Sequence, residues 1–189
     1  AKTFVSKKIN DKKDASNSYK ILSHYQDILK DELSSGKTLV LADYDKRRLE
    51  YIYDKSTLDN KDALYVRALE QMAKTYESID YHTDIVALWA QHIISNNIGK
   101  QPKVEALKLC ENAIKKYPKS SGAANCRQII KNIKNPEIQI FSEAVYPADK
   151  VMLFAFDHNN IDKVDISLYS LPGEIKNDII NFSQEEIMS

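Results

Sequence analysis

The feature that most constrains this chain is a change of hydrophobic period at Pro136. In IIKNIKNPEIQIFSEAVYPADK the apolar residues recur at helical spacing up to Ile133. From Pro136 onward they follow short extended runs, with Ile138, Ile140 and Val145 set among polar residues. One continuous helical architecture is therefore excluded, and the reading is mainly α: a helical domain over residues 14–135, followed by a small, incomplete antiparallel β segment over residues 136–189. Residues 1–13, polar and lysine-rich with no sustained period, read as a leader or linker. At 189 residues the chain is long enough for one sizeable core with an appendage. With 43% apolar residues and only 4 Gly and 5 Pro, it belongs with ordered helical proteins rather than disordered ones.

Within the helical part, Leu22, Tyr25, Leu29 and Leu33 form an amphipathic stripe that Ser34-Ser-Gly36 ends. Further helices are expected from about Leu39 to Tyr53, Asn60 to Ile79, Thr83 to Ser95, Pro102 to Tyr117 and Ser120 to Ile133. Pro102 suits a first helical turn, and Ser120 or Ser121 suits an N-cap. Ala106, Cys110, Ala113 and Pro118 have a spacing that resembles the second helix of a tetratricopeptide repeat, and Trp89, Ala90 and Ile93 suit the first. Small residues at Ala90, Ala106 and Ala113 let helix axes approach closely. An antiparallel helix-hairpin stack follows, though not a regular array. Beyond it, strands are expected at about Glu137–Tyr146, Lys150–Asp157 and Lys163–Leu171, with turns at Tyr146–Asp149 and His158–Asn160. Three strands are too few to close a sandwich. Ile175, Ile179, Ile180 and Ile187 leave the last residues between a short helix and a frayed end.

Charge is balanced overall but unevenly placed. Residues 100–134 carry 9 basic against 2 acidic side chains, and residues 135–189 carry 3 against 10. These read as solvated faces that attract weakly. A nucleic-acid site is the sharper alternative. It is set aside because lysine supplies eight of the nine positive charges and Arg127 alone offers a bidentate fork. No apolar run approaches the roughly 18 residues of a membrane span.

Motifs for chemistry are lacking. Ser35-Gly-Lys-Thr38 resembles the tail of a phosphate loop, but Asp31 stands where its first glycine belongs and a helix precedes it, so it reads as a helix C-cap. His24, His82, His92 and His158 show no i, i+4 pair, and no Cys-x-x-Cys accompanies them. No catalytic, cofactor-binding or metal-ligating residue is assigned. Cys110 and Cys126 flank the Pro118–Ser121 turn at similar distances and read as two buried free thiols or, in an oxidising compartment, as a disulfide. Trp89 with Lys108, Lys115, Lys116 and Lys119 forms a candidate contact patch, the alternative for Trp89 being an inter-helix core position.

Read as one string, LCENAIKKYPKSSGAANCRQIIKNI followed by NPEIQIFSEAVYPADKVMLFAFDHNNIDKVDISLYSL resembles the N-terminal region of bacterial alpha-2-macroglobulin-like proteins of the Bacteroidetes type. In that family tetratricopeptide-like helices lead into a first macroglobulin β-sandwich; His158-Asn159-Asn160-Ile161 stands at its second-to-third strand turn, with Leu168-Tyr169 after it. The resemblance implies a non-catalytic scaffold or interaction segment of a periplasmic or envelope-anchored protease trap. Its partners would be the rest of a larger parent chain, another protein or, through the parent, proteases. Neither cysteine begins the family's Cys-x-Glu-Gln thioester motif. The reading that competes with this resemblance is a free-standing tetratricopeptide-like adaptor, cytoplasmic, binding a protein or peptide in a concave groove. The absence of a charged-then-apolar leader is compatible with either compartment.

Overall fold

The structure, a computed structural model, describes residues 1–9, 17–142, 151 and 153–167. Among these are seven helices: α1 (Lys2–Val5), α2 (Asn17–Ser35), α3 (Thr38–Lys55), α4 (Lys61–Thr75), α5 (His82–Ser95), α6 (Pro102–Lys116) and α7 (Ser121–Lys134). Two strands follow, β1 (Glu137–Ser142) and β2 (Phe154–Asn159). The fold is mainly helical with a small antiparallel sheet after the helices. The chain divides into two compact units, Ala1–Asn135 and Pro136–Ser189.

In the helical unit each helix packs on the next in sequence, and α5 touches α4, α6 and α7. Because α5 is covered on several sides, Thr83, Ile85, Val86, Ala87, Ala90 and Ile93 are all buried. The small side chains foreseen at helix contacts, Ala90, Ala106 and Ala113, are at most 1% exposed. α7 comes closer still to α5. A Cβ on Gly122 would collide with the Thr83 and Asp84 backbone, so only glycine fits there. Ser120 caps α7 by accepting a hydrogen bond from the Ala123 N–H at 3.2 Å, and its Oγ lies 2.7 Å from the buried Thr83 hydroxyl of α5. Gly36, at φ 72°, ends α2 in the left-handed region, so the Ser-Gly-Lys-Thr stretch serves as a helix stop.

Residues 1–9 differ from the free leader expected of them. The short α1 docks on α2, and the Ala1 amino group reaches Asp45 Oδ2 at 2.7 Å. Gln26 Nε2 donates to the Phe4 and Lys7 carbonyls, and the Arg48 guanidinium lies 4.5 Å from the centre of the Phe4 ring. These partners are 19 to 44 residues away in sequence, which explains why local patterning misses them. α4 also ends earlier than its apolar stripe, because Tyr76 closes it and Ile79 packs on the core from the following turn.

In the second unit β1 and β2 pair antiparallel, with Ile138 opposite His158, Ile140 opposite Phe156 and Ser142 opposite Phe154. Since alternate residues share a face, Ile138, Ile140, Phe154 and Phe156 form one apolar side. β2 starts later than expected and runs through His158 and Asn159. The backbone turns positive only at Asn160, φ 55°. Residues 163–167 form no strand, so the third strand is not found over its described part. The Tyr146–Asp149 turn, residues 168–171 of that strand and the isoleucine-rich end lie outside the described residues.

Candidate functional site: a groove across three helices

Helix α5 presents different stripes to two hollows of the helical unit. Asp84, Ala87, Leu88 and Gln91 face one side, toward α3 and α7; His82, Val86 and Trp89 face another, toward α4 and α6.

On the first side two hollows meet at Asp84. One, of about 580 Å³, is walled by Leu39, Val40, Asp43, Tyr44 and Arg47 of α3, by Asp80 and Tyr81 ahead of α5, and by Ser121 of α7. The other, of about 390 Å³, has Ala87, Leu88 and Ile129 as its apolar floor and Lys46, Gln91, Asn125, Gln128 and Asn132 around it. Together they make a groove across α3, α5 and α7. At one end Asp43 is fully engaged, accepting from the Tyr81 hydroxyl at 2.6 Å and from Arg47 Nε at 2.8 Å. Burial, and then the hydrogen bond to Asp43, hold the Tyr81 hydroxyl well above its ordinary titration range, so it remains a donor. Asp84 accepts from Ser121 Oγ at 3.0 Å, whereas the Asp80 carboxylate has no partner among the described residues.

At the other end the lining is rich in carboxamides. Asn125, Gln128 and Asn132 fall at i, i+3 and i+7, one face of α7 by helical geometry. Gln128 Nε2 donates to Asn132 Oδ1 at 2.8 Å and Gln91 Nε2 to Ser95 Oγ at 3.0 Å, which fixes their orientation and leaves the remaining amide atoms open. The Asn125 side chain has no partner among the described residues. A carboxamide offers a donor and an acceptor side by side, the complement of a peptide group. Among the described residues no histidine lines the groove, and the Ser121 hydroxyl there donates to the Asp84 carboxylate.

The anticipated contact patch is only partly assembled. Trp89 is half-buried and packs on the core, and it shares the α4–α5–α6 hollow with Lys116 and Leu109. Lys116 is ion-paired with Glu77 at 2.7 Å. Lys108, Lys115 and Lys119 are exposed but do not line that hollow. Cys110 and Cys126 are free, fully buried and in contact, thiol to thiol. The hydrogen bond between them, and then burial, hold Cys110 far above the usual thiol range. Of the histidines, His24 and His158 are exposed and His82 Nδ1 lies 2.9 Å from the Ala73 carbonyl. His92 is enclosed by Tyr53 and Tyr65, and its Nε2, 3.4 Å from Asp62, lacks a hydrogen bond. Burial lowers its pKa, against the pull of Asp62. No group of three or more His, Cys, Asp or Glu side chains able to hold a metal occurs among the described residues, and no described helix is long and apolar enough to cross a membrane.

Sequence reading missed the groove. Its signal was the Asn125, Gln128 and Asn132 spacing, which looks like an ordinary solvated helix face until α3 and α5 are placed beside it.

No protein-family model, curated protein or solved structure matches this chain.

Proposed function

We propose that this chain is a non-catalytic interaction segment whose helical unit holds an extended stretch of a protein partner in the groove across α3, α5 and α7. The observation that carries this reading is the carboxamide face of α7 over an apolar floor. Asn125 and Asn132 are two helical turns apart, about 10.5 Å at 1.5 Å per residue. An extended chain covers that distance in about three residues at roughly 3.3 Å each. The N–H of one strand residue and the C=O of the residue two further on face the same side about 9 Å apart, and these would meet Asn125 and Asn132; apolar side chains would rest on Ala87, Leu88 and Ile129, and Asp80 would accept a basic side chain. The test is a peptide array probed with the purified chain, followed by titration of the best binder. Asn125→Ala and Asn132→Ala together should weaken it about tenfold, since two hydrogen bonds at about 0.5–1.5 kcal/mol each are lost. Unchanged affinity would contradict the proposal.

A second reading places this segment at the N-terminus of an alpha-2-macroglobulin-like protease trap of the cell envelope. It is favoured by the two-stranded sheet, whose apolar side leaves Ile140 60% exposed. Such a face is what a sheet presents when further strands of a sandwich complete it. An immunoblot of fractionated source cells separates the two readings. An envelope band much heavier than 21.6 kDa supports the trap; a cytosolic band near that mass leaves the adaptor.

A further inference from the structure

At the end of α3 opposite the groove lies a smaller and chemically different pocket between α3 and α4. Its volume is about 230 Å³, below the roughly 300–1,000 Å³ of sites for drug-sized ligands, so it suits a single side chain. Tyr53 and Tyr65 form one wall, stacked with ring centroids 4.3 Å apart. Leu49, Ile52, Leu58 and Leu64 supply the aliphatic surface, and Leu58 and Leu64 are 59% and 42% exposed at its margin.

Two cations line this pocket and differ in what they have left to offer. Arg48 is committed to Asp45 at 2.8 Å. Lys61 makes no ion pair among the described residues and lies 4.9 Å from the centre of the Tyr53 ring. The neighbouring acid, Asp62, is already occupied by the Tyr53 hydroxyl at 2.6 Å. Tyr65 is only 5% exposed, yet its hydroxyl has no hydrogen-bond partner among the described residues and is not fully enclosed. Burial keeps that hydroxyl protonated across the neutral range. An ammonium and a hydroxyl donor thus stand beside an apolar cavity with neither ion pair nor hydrogen bond among the described residues; the Asp54 and Glu50 carboxylates act on Lys61 and Tyr65 only through space.

We infer that this pocket anchors the C-terminal residue of a polypeptide partner, an apolar side chain entering between Tyr65 and Leu58 while the α-carboxylate is received by Lys61 and Tyr65. An apolar side chain and a carboxylate on one residue match the size of the cavity and the sign of the free charge. The site is separate from the groove, and neither requires the other.

The test uses the full chain and three probes: N-acetyl-L-phenylalanine, its amide and octanoate, followed by ¹H–¹⁵N NMR. The acetylated residue should shift the amide signals of Leu58, Lys61 and Leu64 in a saturable way, and its amide should bind about tenfold more weakly. Lys61→Ala should remove that acid-over-amide preference, Tyr65→Phe should reduce it, and Leu64→Glu should abolish binding with the circular dichroism of each variant unchanged. Equal binding of acid and amide, tighter binding of octanoate, or no response of the pocket signals to any probe would overturn the assignment.

Discussion

Asp45 is the residue on which the helical unit's polar interior turns. It is 3% exposed and meets Arg48, the Ala1 amino group and the Tyr76 hydroxyl, the last at 3.1 Å. Burial alone would raise its pKa, but the Arg48 guanidinium and the Ala1 ammonium outweigh it and hold the carboxyl below its usual 3.8. A depressed folded-state pKa means stability that is fully present above the unfolded value of about 3.9 and is lost as pH falls through the lower folded value. Asp45→Asn should therefore cost about 3 kcal/mol in urea unfolding at pH 7, because it leaves the cationic partners unpaired. The gap from the parent protein should narrow below about pH 4. Gly122→Ala, which forces α7 away from the α5 backbone, should cost about 1–3 kcal/mol by the same measurement. Ser120→Ala, which removes a cap and the Thr83 contact, should cost about 1 kcal/mol.

Six of the seven described helices were legible as apolar stripes, because each buries one face against a neighbour and that periodicity survives in the sequence. α1 was not: four residues have no period, and what holds them are Asp45, Gln26 and Arg48 from other helices. The Ser120 cap and the Gly36 stop were legible because their signals are local. The groove was not, since Asn125, Gln128 and Asn132 gain meaning only once α3 and α5 wall it. The third strand, over its described residues 163–167, is not found for a related reason: alternation of Val164 and Ile166 marks an extended run, and pairing depends on a neighbouring strand, which those residues do not have among the described ones. Similar heights on adjacent helices bring Cys110 and Cys126 into contact as free thiols. Alkylation of the native protein should leave both unmodified, and denaturation without reductant should expose two reactive thiols per chain; fewer would reveal a disulfide.

As a whole molecule, the chain joins a helical unit that has its own core to a sheet unit that leaves an apolar side open. The buried core of the helical unit runs from Leu29 of α2 to Ile129 of α7. Residues 1–135 expressed alone should retain their helical circular dichroism and unfold in one cooperative thermal transition. Loss of helical signal would show that the two units depend on each other. The groove is the claim on which the functional account stands, and site-specific photo-crosslinking in source cells tests it most directly. A photoreactive side chain at Asn125 or Gln128 should trap one discrete protein, while the same group at Lys108 or Lys115, exposed positions on α6, which does not wall the groove, should not. Equal capture from all four positions, or none from the groove, would contradict it.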